Sequence, residues 1–426
     1  MREDGLAALA RCLSPPLPYA PGRVAFDRAP MRLGDREKRG LSWIVDESEG
    51  SANALVDEAY MRRALALAQG GLGIASPNPM VGAVVVRGGE VVGAGWHAGP
   101  GTPHAEPRAL AAAGHRAEDA TLYVTLEPCN HTGRTPPCAP AVAAAGIARV
   151  VVGTRDPSPI VDGRGIEALR SAGVTVDVGV LERAARDLIA GFAKHSVTGM
   201  PYVVLKLAAS LDGKTAAADG SSRWITGEAA RHEVHLMRAR ADAVVVGSGT
   251  AMTDDPSLTV RLDGYRGRQP LRVLVDGSGR TPAVGRLFDG AAPVLVATTS
   301  GAPPEARDRW ERAGAEVLVF NPVPTGVPLR ALMEALGKRD VQEVLIEGGS
   351  RLAASVLVED IVDRLVLYVA PKVVGGAATP GLIGGTGAAT IADALGVRIE
   401  SVAMLGEDVR ITASARREDD GVYGHR

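Results

Sequence analysis

Four side chains in the first third of the chain could share one reaction. His104 and Glu106 stand just behind Pro103, where a helix should start, and Cys129 and Cys138 follow downstream. One imidazole and two thiolates are three soft ligands for zinc, and the fourth tetrahedral position stays open for water, as in a catalytic site. Zinc brings the pKa of a bound water from about 15.7 to near 7. Glu106 could face that open side without being a ligand, take the proton and pass it to a leaving amine. Each residue alone has a plainer reading. A His at a helix start usually caps the helix or meets solvent, and a lone Cys is usually buried and inert. Here two of the chain's 3 cysteines gather around one His-Ala-Glu, and that combination favours the metal. Cys12, in the irregular N-terminal stretch, is given no role.

A second set is more dispersed. Lys206-Leu207-Ala208-Ala209-Ser210-Leu211-Asp212-Gly213-Lys214 leaves a strand for a loop, and Trp224-Ile225-Thr226 opens a helix. Gly247-Ser248-Gly249-Thr250, Asp254-Asp255-Pro256 and Glu347-Gly348-Gly349-Ser350 come after them. Glycines at a strand-to-helix turn let a backbone approach a pyrophosphate, whose charge suits a helix N-terminus. The spacing is not the Gly-x-Gly-x-x-Gly dinucleotide fingerprint. A strand running into Gly-Gly is, alone, more often a tight turn.

The elements that must hold these residues alternate. Helix 57–72 precedes strands 81–86 and 91–95, joined by a tight Gly88-Gly89 turn. Then come helix 104–113, strand 121–126, helix 139–145, strand 148–153, helix 165–172, strand 174–178 and helix 181–195. A second start at Pro201 leads to strand 202–208, helix 227–240 and strands 243–247, 271–276, 294–298 and 316–320. Helix 329–337, strand 343–346, helix 350–358 and strand 364–370 complete the pattern, and the last ten residues should fray. Such alternation predicts an α/β layer architecture in both parts. Residues 1–55, rich in Pro and Gly and poor in periodicity, read as a flexible extension with one short helix near 6–12. The expected division is 1–55, 56–198 and 199–426.

Composition narrows the function. With 426 residues, 46% hydrophobic and 23% charged, the chain can build two or three cores. Its 47 basic and 49 acidic side chains leave −2, so bulk binding to nucleic acid or anionic lipid has no electrostatic support. Few cysteines, no signal-peptide pattern and no apolar run of about 18–20 residues point to a cytoplasmic enzyme.

His-x-Glu followed by Pro-Cys-x-x-Cys is the signature of zinc deaminases, and this chain carries a variant of it, with eight residues between Cys129 and Cys138. Thr-Leu-Glu-Pro-Cys-Asn-His-Thr-Gly-Arg-Thr-Pro-Pro-Cys at 125–138, with Ser-Pro-Asn-Pro-Met-Val-Gly-Ala-Val at 76–84, narrows the likeness. Both resemble the deaminase half of the bifunctional pyrimidine deaminase/reductases of riboflavin biosynthesis. The dispersed set resembles their reductase half. The resemblance covers about 57–415. It implies a cytidine-deaminase-like α/β/α sandwich followed by a dihydrofolate-reductase-like α/β domain.

By that resemblance His104, Cys129 and Cys138 bind zinc and Glu106 shuttles protons. Asn78 and His97 line the pyrimidine pocket, and His131, Arg134 and Asp156 meet the ribose phosphate. In the second half Lys206, Ser222, Arg238, Leu258, Arg261 and Glu347 hold the ribosylaminopyrimidine, with Arg238 and Arg261 as phosphate clamps. NADPH falls to Ala208, Trp224, Thr250, Asp254, Gly277, Gly349, Ser350, Arg351, Leu352, Ala353, Ala354 and Ser355. The implied substrate is a small phosphorylated pyrimidine ribotide, with no nucleic acid or membrane partner, and the family pairs through its reductase domains. Three positions depart from the family's usual pattern: Pro107, Ser158 and Gly277. Pro107 costs no hydrogen bond, because N–H groups of a first helical turn are free in any case. Two other classes use the same residues: a nucleic-acid editing deaminase and a regulator on an inactive deaminase scaffold. Tight RNA binding would favour the first, and absence of zinc from gently purified protein the second.

Overall fold

The computed structural model describes residues 44–133 and 135–415, the side chains of 44–52 excepted. Expectations for 1–43, for Arg134 and for 416–426 lie outside the described residues. Helix α1 (Ile44–Ala68) begins inside the stretch expected to be a flexible extension. Contacts part the chain between Val56 and Asp57. Both sheets belong to the unit from Asp57 onward.

Among the described residues there are two sheets. The first takes β1 (Gly82–Arg87), β2 (Glu90–Trp96), β3 (Thr121–Leu126), β4 (Arg149–Thr154) and β5 (Thr175–Val178) in the order β2-β1-β3-β4-β5. β1 runs antiparallel to β2 and β3, and β3, β4 and β5 run parallel. Gly88 and Gly89 both have positive φ, 58° and 81°, as a two-residue hairpin turn of the primed kind requires. The valine runs alternate between two cores. Val85, Val124 and Val152 pack with α2 (Ala105–Ala113), α3 (Cys138–Ala144) and α4 (Arg164–Ser171), while Val84, Val86, Tyr123 and Val151 meet Met61 and Ala64 of α1. Both faces are covered, which is why these strands read as unbroken apolar runs. Gly93 sets the depth of α2, because a Cβ there would collide with the Ala109 carbonyl oxygen.

The expected helix 181–195 is two helices, α5 (Glu182–Leu188) and α6 (Ala190–Thr198), broken at buried Ile189. Gly199, left-handed at φ 71°, ends α6.

The second sheet has nine strands: β6 (Tyr202–Ser210), β7 (Ala243–Gly247), β8 (Leu271–Val275), β9 (Val294–Thr299), β10 (Glu316–Phe320), β11 (Glu343–Glu347), β12 (Arg364–Ala370), β13 (Val397–Leu405) and β14 (Asp408–Ala415). The order is β10-β9-β8-β7-β11-β6-β12-β14-β13. Seven strands are parallel neighbours, and β14 and β13 add an antiparallel hairpin at one edge. Helices α7 (Glu228–Arg240), α8 (Ser248–Asp254), α9 (Pro304–Arg312), α10 (Leu329–Gly337) and α11 (Ser350–Val358) accompany it. Val203, Leu205 and Leu207 face one core; Val204, with fully buried Trp310 of α9, faces the other. No helix among the described residues is long and apolar enough to cross a membrane.

Candidate active sites

The first site lies where three elements of the first sheet meet. His104 is the extended N-cap of α2, and Glu106 and Pro107 fall in its first turn. Cys129 leaves the C-terminal end of β3, and Cys138 is the first residue of α3. One ligand atom from each of the three lies within 4.8 Å of the others. His104 Nδ1 is 3.6 Å from Cys129 Sγ and 3.3 Å from Cys138 Sγ. Its Nε2 is left for the Thr135 hydroxyl, 3.3 Å away. That leaves one nitrogen for a metal and one for a partner that orients the ring. Two buried thiols and an imidazole so converged fit zinc. Among the described residues this is the one group of its kind.

Electrostatics agree with that use. The hydrogen bond from the Cys138 thiol, against the cost of burial and with help from His104, pulls Cys129 down to about 4. Cys138 is held up in turn. A divalent cation would hold both as thiolates. Glu106 is buried, and burial pushes its carboxyl up to about 7. A proton carrier works best near ambient pH.

Asn78 and His97 meet beside the ligands. Asn78 Nδ2 donates to His97 Nε2 at 2.9 Å, so His97 Nδ1 carries the proton and donates to the Pro103 carbonyl at 3.4 Å. The His97 ring stands edge-on to His104, centroids 5.1 Å apart, and burial lowers its pKa. Asp156 is buried, its carboxyl pushed by burial to about 7. Its Oδ1 accepts the backbone N–H of Ser158 at 2.8 Å. His131 is exposed on the loop between the cysteines.

The second site lies along the C-terminal ends of parallel strands. Glu347 ends β11 beside Lys206 of β6, its register partner. Arg238 of α7 grips Glu347 with Nε on Oε1 at 2.5 Å and Nη2 on Oε2 at 2.8 Å, and its Nη1 donates to the Thr259 carbonyl at 3.2 Å. Its fork is therefore turned onto Glu347 and the Thr259 carbonyl. Arg261 is exposed as a residue, and partial desolvation with the Arg238 and Arg286 charges holds its guanidinium below the usual pKa. Burial lowers Lys206. Burial would raise Glu347, but the Arg238 charge holds it low. Leu258 is buried with φ 54°, a conformation a branched side chain rarely adopts.

The glycine turns gather one strand over. β7 and β11 are parallel neighbours, and they feed α8 and α11 side by side. Gly349 is the N-cap of α11, and a Cβ there would lie 3.0 Å from Thr250 Oγ1. Residues 350–355 form the first turns of α11. Gly277 comes after β8, where its carbonyl accepts the Thr299 hydroxyl at 2.6 Å. Trp224 is exposed under the Arg231 guanidinium, and neighbouring Arg223 donates to the Asp254 carbonyl, which links that loop to α8. Ser222 is half-buried on the same loop, and Ala208 lies on β6. Strand order reverses around β7, β11 and β6, and open α/β sheets bind ligands at such switch points.

Comparison with known proteins decides the family. Residues 55–154 match the cytidine and deoxycytidylate deaminase zinc-binding region, and 201–411 match the RibD C-terminal domain. The riboflavin biosynthesis protein RibD of Aquifex aeolicus is 43% identical over 357 residues, covering 84% of this chain and 98% of that one. The Escherichia coli RibD is 43% identical over 365 residues, covering 83% and 98%. The chain belongs to the RibD family. Solved RibD structures agree: that of Acinetobacter baumannii superposes with a TM-score of 0.74 at 38% identity, covering 85% of this chain and all 100% of the other. The Thermotoga maritima diaminohydroxyphosphoribosylaminopyrimidine deaminase/5-amino-6-(5-phosphoribosylamino)uracil reductase gives 0.74 at 35%, covering 85% and 100%. This RibD-family chain is thus a bifunctional deaminase/reductase of riboflavin biosynthesis, with a zinc-binding half and a half that uses a nicotinamide cofactor.

Three residues of the sites escaped the sequence reading. Thr135 meets His104 from behind. Glu127, two before Cys129, is buried, and its carboxylate accepts the backbone N–H groups of Asp156, Gly163, Gly165 and Ile166 at 2.9–3.2 Å. It ties the Cys129 turn to the start of α4 and to Asp156. The signal was an acidic residue at the end of an apolar strand with no nearby base. His235, between Arg238 and Arg261, is driven to about 4 by burial and those two charges.

Proposed function

We propose that the first half, residues 56–198, removes the 2-amino group of 2,5-diamino-6-ribosylamino-4(3H)-pyrimidinone 5′-phosphate by hydrolysis. The second half, 199–426, then reduces the ribosyl group to ribityl with NADPH. The observation that carries the first step is the convergence of His104, Cys129 and Cys138 beside buried Glu106. Zinc on those three residues supplies a water acidic enough to react at neutral pH. Glu106 takes a proton at its carboxylate and returns it to the departing amine. Asn78 offers donor and acceptor to the pyrimidine edge, with its side chain aligned by His97. His131 and Asp156 are assigned to the ribose phosphate, a role the family likeness also gives Arg134.

In the second half NADPH supplies a hydride. Gly349 and the first turns of α11, with Thr250, Asp254, Trp224, Ala208 and Gly277, bind it. Lys206 and the Arg238–Glu347 pair, with Ser222 and Leu258, line the substrate pocket, and Arg261 meets the phosphate. Self-association through this half is supported by edge strand β13. Its bulge between Ile399 and Ser401 keeps Val397, Ile399, Val402 and Met404 on one exposed face, and exposed apolar edges invite pairing. Val402→Asp should lower the mass seen by light scattering. Charge balance and the small phosphorylated substrate favour a cytoplasmic setting.

A single-pot assay with the diaminopyrimidine ribotide tests the reading through ammonia release and NADPH oxidation. Wild type should give both. Glu106→Gln should give neither until supplied with deaminated substrate. Ammonia without NADPH oxidation would leave only the zinc half standing.

A further inference from the structure

The loop that carries Asn78 is held from the other half of the molecule. Residues 69–78 bond internally through Leu72 to Gln69, Ile74 and Ala75 to Gly71, and Asn78 to Ala75. Pro77 and Pro79 contribute no N–H, so the loop is short of donors for its own carbonyls. Two come from the reductase half. The Arg268 backbone N–H donates to the Gly73 carbonyl at 3.0 Å. Gln342 Nε2 donates to the Pro77 carbonyl at 2.6 Å, directly before Asn78.

Both donors are rooted in one buried carboxylate. Asp242 Oδ2 accepts the N–H groups of Gln342 and Glu343 at 2.7 and 3.0 Å, and its Oδ1 pairs with the Arg268 guanidinium. The Gln342 carbonyl accepts from Tyr202 N at 2.7 Å, so this residue is fixed at the entrance of β11 and β6. Tyr265 closes the contact at Gly73. Its hydroxyl donates to the Arg268 carbonyl at 2.7 Å, and a Cβ on Gly73 would collide with that hydroxyl oxygen.

From Pro77 the path is short. Asn78 bonds His97, and His97 stands against the zinc-site residue His104. We propose that Gln342, a residue of the reductase half, is a positioning residue for deamination, setting Asn78 against the pyrimidine through the Pro77 carbonyl. The inference rests on reading Asn78 as a substrate contact. It makes the first reaction depend on the second domain being folded in place, with no ligand bound there.

Gln342→Met keeps the length and removes the donor. Gln342→Glu sets an acceptor against an acceptor. In the full-length zinc enzyme Gln342→Met should raise the deaminase KM about 3- to 10-fold, the weight of one hydrogen bond, and Gln342→Glu should raise it more. The deaminase kcat should change less than about twofold, because the proton carrier is untouched. The reductase rate on deaminated substrate should not move. Unchanged deaminase KM in both variants, while Asn78→Ala raises it, would overturn the proposal. So would a parallel loss of both activities with a lower melting temperature, which marks a general folding defect. If Asn78→Ala leaves KM alone, the role given to Asn78 falls, and a KM rise in the Gln342 variants still upholds the loop's dependence on the reductase half.

Discussion

The zinc site draws its chemistry from residues 104–138, while the second site spreads over 206–355. The first depends on side-chain type: an imidazole, two thiols and a carboxyl, all brought in by helix starts and one strand end. The second depends on backbone: glycines at strand ends, a helix N-terminus and the register that sets Lys206 beside Glu347. A metal recognises donor atoms, so few substitutions are tolerated and the site stands out in a single sequence. A nucleotide crevice is made by topology, and its residues acquire meaning only when the strand order is known.

The largest effect is expected at the metal. Cys138→Ser should abolish zinc binding and ammonia release while the reductase rate on deaminated substrate stays at the wild-type value; metal analysis and the two rates read this. A variant that lost both activities would show the halves are less separable than their sites suggest. Glu106→Gln should keep its zinc and lower deaminase kcat by about 10²- to 10⁴-fold, the usual worth of a proton carrier. Retention within tenfold would remove Glu106 from that role.

On the other side, Glu347→Gln leaves Arg238 without its charge partner at a pair only 11% and 12% exposed. A loss of about 3 kcal/mol should appear as a lower melting temperature with reduction impaired and deamination spared. The smallest effect is a pH dependence at Asp156. Its folded pKa of about 7 lies above that of an unfolded Asp, about 3.9. The folded state therefore holds the proton more tightly, and this contribution weakens as pH rises from about 4 through 7. Asp156→Asn has no such proton, so its stability should gain on wild type as pH rises from about 4 to 7. Denaturation midpoints at the two pH values decide it.

Much of the scaffold was legible because the strands are valine runs buried on both faces, separated by helices with clear glycine stops. The omissions have physical causes. Helix α9 opens on Pro303-Pro304, which reads as a breaker, although Pro304 stands at its first position, where proline fits. Strand β13 exposes apolar side chains and β14 is mostly half-buried, so their hairpin lacks the buried run of a central strand. α1 starts at Ile44 in a stretch without a helical apolar stripe. In the sites, His104, Glu106 and the cysteines stood out by type. Glu127 and Gln342 did not, because what they hold is backbone from segments far along the chain. For Arg238, only the folded arrangement reveals that Glu347 occupies its fork.

The two sheets also differ in when they can exist. The first is complete by Val178, since each strand pairs with close predecessors. In the second, β6 comes first in the chain yet lies between β11 and β12, pairing Tyr202 with Glu343 and Val204 with Arg364. On a ribosome, which delivers the chain N-terminus first at about 5–20 residues per second, the deaminase sheet can form while the first reductase strand waits for its partners. The grip of Gln342 on Pro77 arrives only with the last third of the chain, so a nascent zinc domain is assembled before the contact that would tune it.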